Sequence, residues 1–180
     1  MKYLILVLTI LVTIYAERID SKMINFDFDS KLYNLNGALF TGTSVIRDSQ
    51  GNIVREIEIK NGMMDGDETT YQDGKVISKL HFEKNEKSGR SYIYSLTTFK
   101  LCEISDYKNS VRNGLYQTFD QYDEYLESES HYVDGKREGE HKTYYPSGKI
   151  KSTGFYVKGI KSGKWIFYKE DGTIEREKKY

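Results

Sequence analysis

A single cysteine, Cys102, excludes any disulfide within the chain, and with only three histidines (His81, His131 and His141) it leaves little material for a metal centre. Neither sign of charge is in excess: 27 basic residues face 27 acidic ones, and the signs are interspersed. No basic stripe is available for phosphates, so nucleic acid is not an expected partner. No apolar period of 3.6 persists for ten residues beyond the N-terminus, so no substantial helix is expected. The uncharged apolar run near the N-terminus, Tyr3 to Ala16, is shorter than the roughly 18 residues that a membrane span requires.

That run follows Met1-Lys2 and is broken by Glu17, Arg18 and Asp20, the pattern of a signal peptide with Ala16 before the cleavage point. Residues 1–16 are therefore read as a leader, and the protein as exported to the periplasm or beyond the cell. No cysteine lies near Ala16, which excludes a bacterial lipoprotein.

What the chain has in quantity is glycine and tyrosine, 15 and 16 residues, with one proline. Together with Thr, Ile and Val they describe strands separated by turns. The glycines are ordered. Gly42, Gly66, Gly89, Gly114, Gly139 and Gly163 follow one another at intervals of 24, 23, 25, 25 and 24 residues. A fixed period of this size marks a repeat architecture. About four residues before each stands a further turn residue, as at Gly62, Gly135 and Gly159. About nine after it stands another, as at Gly51, Gly74, Gly148 and Gly172. Each unit thus contains two runs of about seven residues between two turns. YPSGK (Tyr145–Lys149) and KEDGT (Lys169–Thr173) read as hairpin turns, VDGKREG and VKGIKSG as return turns between units.

The runs alternate with period two. After the hairpin glycine, offsets +2, +6 and +8 carry Ile53, Ile57 and Ile59 in the first unit and Val76, Leu80 and Phe82 in the second, which predicts one inward face. Five residues after the periodic glycine stand Tyr71, Tyr94, Phe119, Tyr144 and Tyr168, expected as core rings; the first unit has Arg47 there. The predicted fold is all-β: an elongated antiparallel meander of about six tandem β-hairpins over residues 37–180, preceded by a capping strand region, 17–36. INFDFDS (Ile24–Ser30) is expected to cap one end of the sheet. The charged EREKKY (Glu175–Tyr180) guards the other edge against pairing.

The segment from Tyr132 to Tyr180, with its aromatic, Gly-Lys, Gly, aromatic pair and Gly-Lys-Ile order, resembles the variant MORN repeat, in chains commonly called YwqK-type antitoxins. The likeness is specific over 132–180, good over 60–82 and loose elsewhere. It implies a hairpin array with no catalytic site and no cofactor. The implied roles are protein contact, immunity to a toxin, or membrane attachment.

No chemistry-bearing constellation competes with this reading. His131 and His141 flank a turn without a third ligand. Cys102 lacks an orienting partner for a pair with His81 or His131. DGDE (Asp65–Glu68) lacks the spacing of a calcium loop. Asp27 and Asp29 alternate with Phe26 and Phe28 as the wet side of a strand. Among the repeat positions, Gly66, Tyr71, Gly74, Gly135, Gly139, Tyr144, Gly148, Gly159, Gly163, Tyr168 and Gly172 are assigned to the scaffold. Two residues past the periodic glycine the slot varies: Ser44, Glu68, Ser91, Tyr116, His141 and Trp165. Tyr116, His141 and Trp165 are therefore the candidate partner-binding residues. The expected function is non-enzymatic protein binding, including toxin neutralisation; the alternative is a membrane-surface scaffold.

Overall fold

The computed structural model describes residues 17–180; the expected leader, residues 1–16, lies outside the described residues. Strand β1 (Glu17–Asp20) is followed by a single 3-10 turn and by β2 (Asn25–Asp27), β3 (Leu32–Leu35) and β4 (Ala38–Leu39). The repeats then run as β5 (Gly42–Arg47), β6 (Ile53–Lys60), β7 (Met63–Gln72), β8 (Lys75–Glu83), β9 (Glu86–Lys87), β10 (Gly89–Tyr94), β11 (Leu101–Lys108), β12 (Val111–Phe119), β13 (Leu126–Val133), β14 (Lys136–Tyr144), β15 (Ile150–Val157), β16 (Ile160–Tyr168) and β17 (Ile174–Lys179). From β5 to β17 each strand pairs antiparallel with its neighbour in sequence, β9 sitting beside β8. The meander expected from the glycine period is thus one 14-stranded sheet.

The return turns explain the period. Asn61-Gly62, Lys84-Asn85, Asn109-Ser110, Asp134-Gly135 and Lys158-Gly159 all have positive φ at both positions, the two-residue turn that matches strand twist. The second residue of each turn then donates its N–H to a carbonyl one unit earlier: Gly62 to Phe40, Asn85 to Met64, Ser110 to Lys87, Gly135 to Arg112 and Gly159 to Arg137, at 2.7–2.9 Å. Each unit is therefore docked on the last by the turn itself, and a backbone donor is satisfied.

The periodic glycine sits in a bulge. Opposite Glu58, Asp106 and His131 the up-strand places three residues rather than one, as shown by the register steps Ile57↔Glu68 to Ile59↔Met64 and Ser130↔His141 to Tyr132↔Arg137. At Gly66 (φ +129) and Gly114 (φ +119) the space of a side chain is taken by the carboxylate opposite, Glu58 or Asp106. That carboxylate accepts the next N–H, from Asp67 at 2.9 Å or Leu115 at 3.1 Å. Both the φ and the space select glycine.

A second, one-residue bulge follows every hairpin turn. Tyr71 pairs with Val76 but Thr70 with Ser78, and Tyr144 with Ile150 but Thr143 with Ser152. This corrects one expectation. Offsets +2 and +6 share a parity but not a face, because the bulge between them inverts it. Ile53 and Val76 lie on one side, Ile57 and Leu80 on the other.

The N-terminal cap also departs from expectation. The edge strand is β1, running parallel to β5. INFDFDS instead contributes β2 to a separate three-stranded sheet, β2–β3–β4, which ends at Leu39. Ile19, Ile24, Tyr33 and Leu35 pack on the buried trio Phe40, Ile57 and Ile59. At the other edge β17 is exposed throughout. Any two-fold antiparallel pairing of β17 with itself must oppose residues of one face. Centred on Arg176 or Glu177 it sets Glu175 against Glu177, or Arg176 against Lys178, so the strand disfavours its own kind in these registers.

Candidate functional site

Three rows of side chains cross one face of the sheet, here called the inner face. The middle row runs through the cross-strand neighbours Ser44, Ile57, Glu68, Leu80, Ser91, Ser105, Tyr116, Ser130, His141, Gly154 and Trp165. It contains the most buried side chains among the described residues, Trp165 at 2% and Ser105 at 1% exposure. The slot two residues past the periodic glycine is therefore interior. His141 is only 8% exposed, and neither it nor Trp165 presents a free surface. Tyr116 is half-buried.

The variation of this slot has a packing cause. Its occupant is matched in volume across the strand: Tyr116 lies between Ser105 and Ser130, His141 between Ser130 and Gly154. The Trp165 indole lies over Gly154, where an added Cβ would stand 2.2 Å from Cδ2. Trp165 also packs edge-on against Tyr156 and Tyr180, with ring centroids 5.3 and 5.9 Å apart. The rings five past the glycine lie on the opposite, outer face and are half-buried, not core: Tyr71 donates its hydroxyl to Glu56 at 2.8 Å. Tyr144 stands there too, opposite Ile150. A half-buried ring on a wet face carries less packing than a core ring, so Tyr144→Ala is expected to cost about 1 kcal/mol in urea unfolding rather than the roughly 3–5 of a core aromatic.

The row nearest the return turns had no role in the sequence reading. Two residues before the periodic glycine stand Lys87, Arg112, Arg137 and Lys161; directly across the hairpin from them stand Phe82, Tyr107, Tyr132 and Tyr156. The result is a ladder of cations and rings. The Lys87 ammonium is 4.3 Å from the Tyr107 ring centre. The Arg112 guanidinium lies 4.7 Å from Tyr116 and 5.8 Å from Tyr132. Arg137 lies 5.9 Å from Tyr132 and 5.4 Å from Tyr156. Lys161 lies 4.1 Å from Trp165 and 5.2 Å from Tyr180. Arg137 also donates to the hydroxyls of Tyr132 (3.1 Å) and Tyr156 (3.4 Å). The signal was present as basic residues at a constant offset from the glycine, but their ring partners lie a hairpin away in sequence.

The third row, toward the hairpin tips, holds Arg55, Thr70, Ser78, Ile93, Glu103, Thr118, Ser128, Thr143, Ser152, Phe167 and Arg176. Along the three rows from β5 to β17 the cations are Arg55, Lys87, Arg112, Arg137, Lys161, Arg176 and Lys178, and the carboxylates are Glu68 and Glu103. A chain of zero net charge thus has one distinctly positive face. Glu68, 6% exposed, is held by Arg55 at 2.6 Å. Glu103 accepts from Arg112 (3.0 Å), the Tyr116 hydroxyl (3.1 Å) and the Ser105 hydroxyl. Burial, with Glu103 beside it, pushes the Tyr116 phenol above its ordinary range. Burial, and then the charges of Arg137 and Lys161, bring the His141 imidazole down to about 4.

The remaining sequence candidates fall apart in space. His131 is exposed on the outer face while His141 is buried on the inner one. Within DGDE, Asp67 binds Lys79 and His81 on the outer face and Glu68 binds Arg55 on the inner. Burial raises the Cys102 thiol, which holds it in the unreactive form. Among the described residues no three His, Cys, Asp or Glu side chains converge as metal ligands.

Residues 137–158, one unit comprising most of β14, the hairpin turn and β15, match the family model described as a MORN repeat variant. No curated protein matches the chain.

Proposed function

We propose that the protein is a non-enzymatic β-repeat module, exported through its N-terminal leader, that binds another protein on one face of the sheet. The observation that carries this reading is the inner face of β11–β17. There a repeat-spaced row of cations packs on aromatic rings, and among the described residues beyond Glu103 the three rows hold no carboxylate to neutralise it. Such a row is ordered before any partner arrives, so little side-chain entropy is lost on binding. Neutralisation of a toxin is the specific form of binding that the likeness of residues 132–180 to antitoxin-type chains suggests. Export is supported by the uncharged Tyr3–Ala16 run and places that partner in the periplasm or outside the cell.

Affinity capture from envelope and medium fractions with the full chain, followed by reconstitution with the purified partner, is expected to give a stable complex. Recovery of no partner, together with turnover of a small molecule, overturns the reading.

A second reading has its own observation. The return-turn ends of the last units expose Val111, Val133, Val157 and Ile160 beside Lys108, Lys136 and Lys158. An apolar strip bordered by lysines suits a membrane surface with anionic lipids. It requires co-sedimentation with anionic vesicles that weakens as salt is raised.

A further inference from the structure

The inner-face rows contain one completed instance of a site and two uncompleted ones. In the third unit Glu103 stands 14 residues past its periodic glycine, and its carboxylate is received by Arg112, Tyr116 and Ser105. The positions that correspond to Glu103 in the next two units are Ser128 and Ser152, each opposite a threonine or phenylalanine of the following strand as Glu103 is opposite Thr118. The cations that correspond to Arg112 are Arg137 and Lys161. Neither has a carboxylate within ion-pair distance among the described residues, and both hold their places through rings and phenols alone. The shortening from Glu to Ser removes an internal carboxylate and leaves its cation behind.

The spacing of these cations restricts what can supply the missing charge. Arg112, Arg137 and Lys161 stand on β12, β14 and β16, alternate strands of one sheet. Two strand separations are roughly 9.5 Å. A polyproline II segment advances about 3.1 Å per residue with three residues per turn, so every third side chain returns to one side after about 9.3 Å. A β-extended segment does not fit, since its same-side residues recur near 6.7 Å. The rings of this face are already covered by guanidinium and ammonium groups, so they are not free to stack nucleobases or sugars. What remains at Arg137 and Lys161 is recognition of anionic groups, and the strand spacing matches carboxylates carried on every third residue of such a segment.

We propose that the inner face of β12–β16 binds an acidic peptide segment in polyproline II conformation, lying across the strands, with Asp or Glu at every third position meeting Arg137 and Lys161 in turn. This deepens the reading of the protein as a protein-binding module and rests on it. Bidentate capture by Arg137 gives geometric selectivity, and Lys161 adds a point charge.

The probes are three synthetic peptides of one composition, titrated into the full chain by calorimetry and followed by the single tryptophan, Trp165, which lies directly under Lys161. One has glutamate at every third position between prolines, one has glutamate at every second position, and one has its glutamates clustered. The every-third peptide is expected to bind at least about tenfold more tightly than the other two. Arg137→Gln and Lys161→Gln are each expected to weaken it by about tenfold or more, with unchanged circular dichroism. Ser128→Glu, which gives Arg137 the internal carboxylate that Arg112 already has, is expected to abolish binding without unfolding the chain. Equal binding of the three peptides, equal binding of polyphosphate, or indifference to Ser128→Glu overturns the proposal. A captured protein partner that the every-third peptide does not displace also overturns it, and leaves the broader protein-binding reading standing.

Discussion

Trp165→Ala is expected to lower the unfolding free energy by about 3–5 kcal/mol, the range for truncating a fully buried aromatic. The indole is the largest fully buried side chain among the described residues, and it joins Tyr156, His141, Lys161 and Tyr180. Its removal should also release Tyr180, whose N–H reaches the Gly163 carbonyl at 2.9 Å and closes the last unit. The reciprocal change is as informative. Gly154→Ala places a methyl where the indole already is, 2.2 Å from Cδ2 and 2.3 Å from Cε2. Its backbone φ is ordinary, so the cost is pure overpacking, about 2 kcal/mol or more because the indole is boxed by rings. Combining the two changes gives the decisive comparison. In Trp165→Ala the space above Gly154 is empty, so the added methyl should cost nothing or help. The double variant is expected to be at least about 1 kcal/mol more stable than additivity predicts. Urea unfolding followed by circular dichroism measures all three. Strict additivity would mean that the two residues are not in contact.

The same pair shows what was legible in the sequence. The glycine period, the hairpin and return turns and the strand runs follow from local chemistry, because a turn with two positive φ values selects Asn, Asp, Gly or Lys-Asn within a few residues. The faces do not. Alternation holds only while the strand is regular. Each unit has a one-residue bulge after its hairpin turn, and units two to six have a three-against-one bulge at the periodic glycine; the glycines mark both places, but their spelling does not say how many residues are inserted. Counting through the first bulge groups Ile53 with Ile57, and an aromatic recurring five residues past the glycine in five of six units reads as core although Tyr71 and Tyr144 stand on the outer face. Variation at Tyr116, His141 and Trp165 suggested freedom from the scaffold. It was compensation between residues about 11 positions apart, such as Trp165 and Gly154, which only the register brings together. The cation row is the opposite case: Lys87, Arg112, Arg137 and Lys161 keep a fixed offset from the glycine and were legible, but basic residues on a neutral chain read as a solvated face until their rings are placed.

His141 provides the second large effect, and it depends on pH. Burial disfavours its charged form, the Arg137 and Lys161 charges add to this, and the folded-state value falls to about 4 against 6.5 for the free side chain. Its Nδ1 stays 2.7 Å from the Ser130 hydroxyl, a partner that suits the neutral ring. Between those two values the unfolded chain binds a proton that the folded chain refuses. Stability therefore falls as pH drops from about 6.5 toward 4 and is fully present above that window. The shift is worth about 3 kcal/mol at its limit, so roughly 2 kcal/mol should be lost between pH 7 and pH 5. The carboxyls that the fold holds low do not account for a loss in that range. Asp106, whose carboxyl Arg90 holds below the usual range, loses its contribution only as pH falls through the lower values where it protonates. His141→Phe keeps a ring between Tyr156 and Trp165 and removes the titration. Its urea midpoint should change little between pH 7 and pH 5 where the parent's falls. A parallel decline in both proteins would show that the proton is taken up elsewhere, and that burial and the neighbouring charges do not hold His141 neutral.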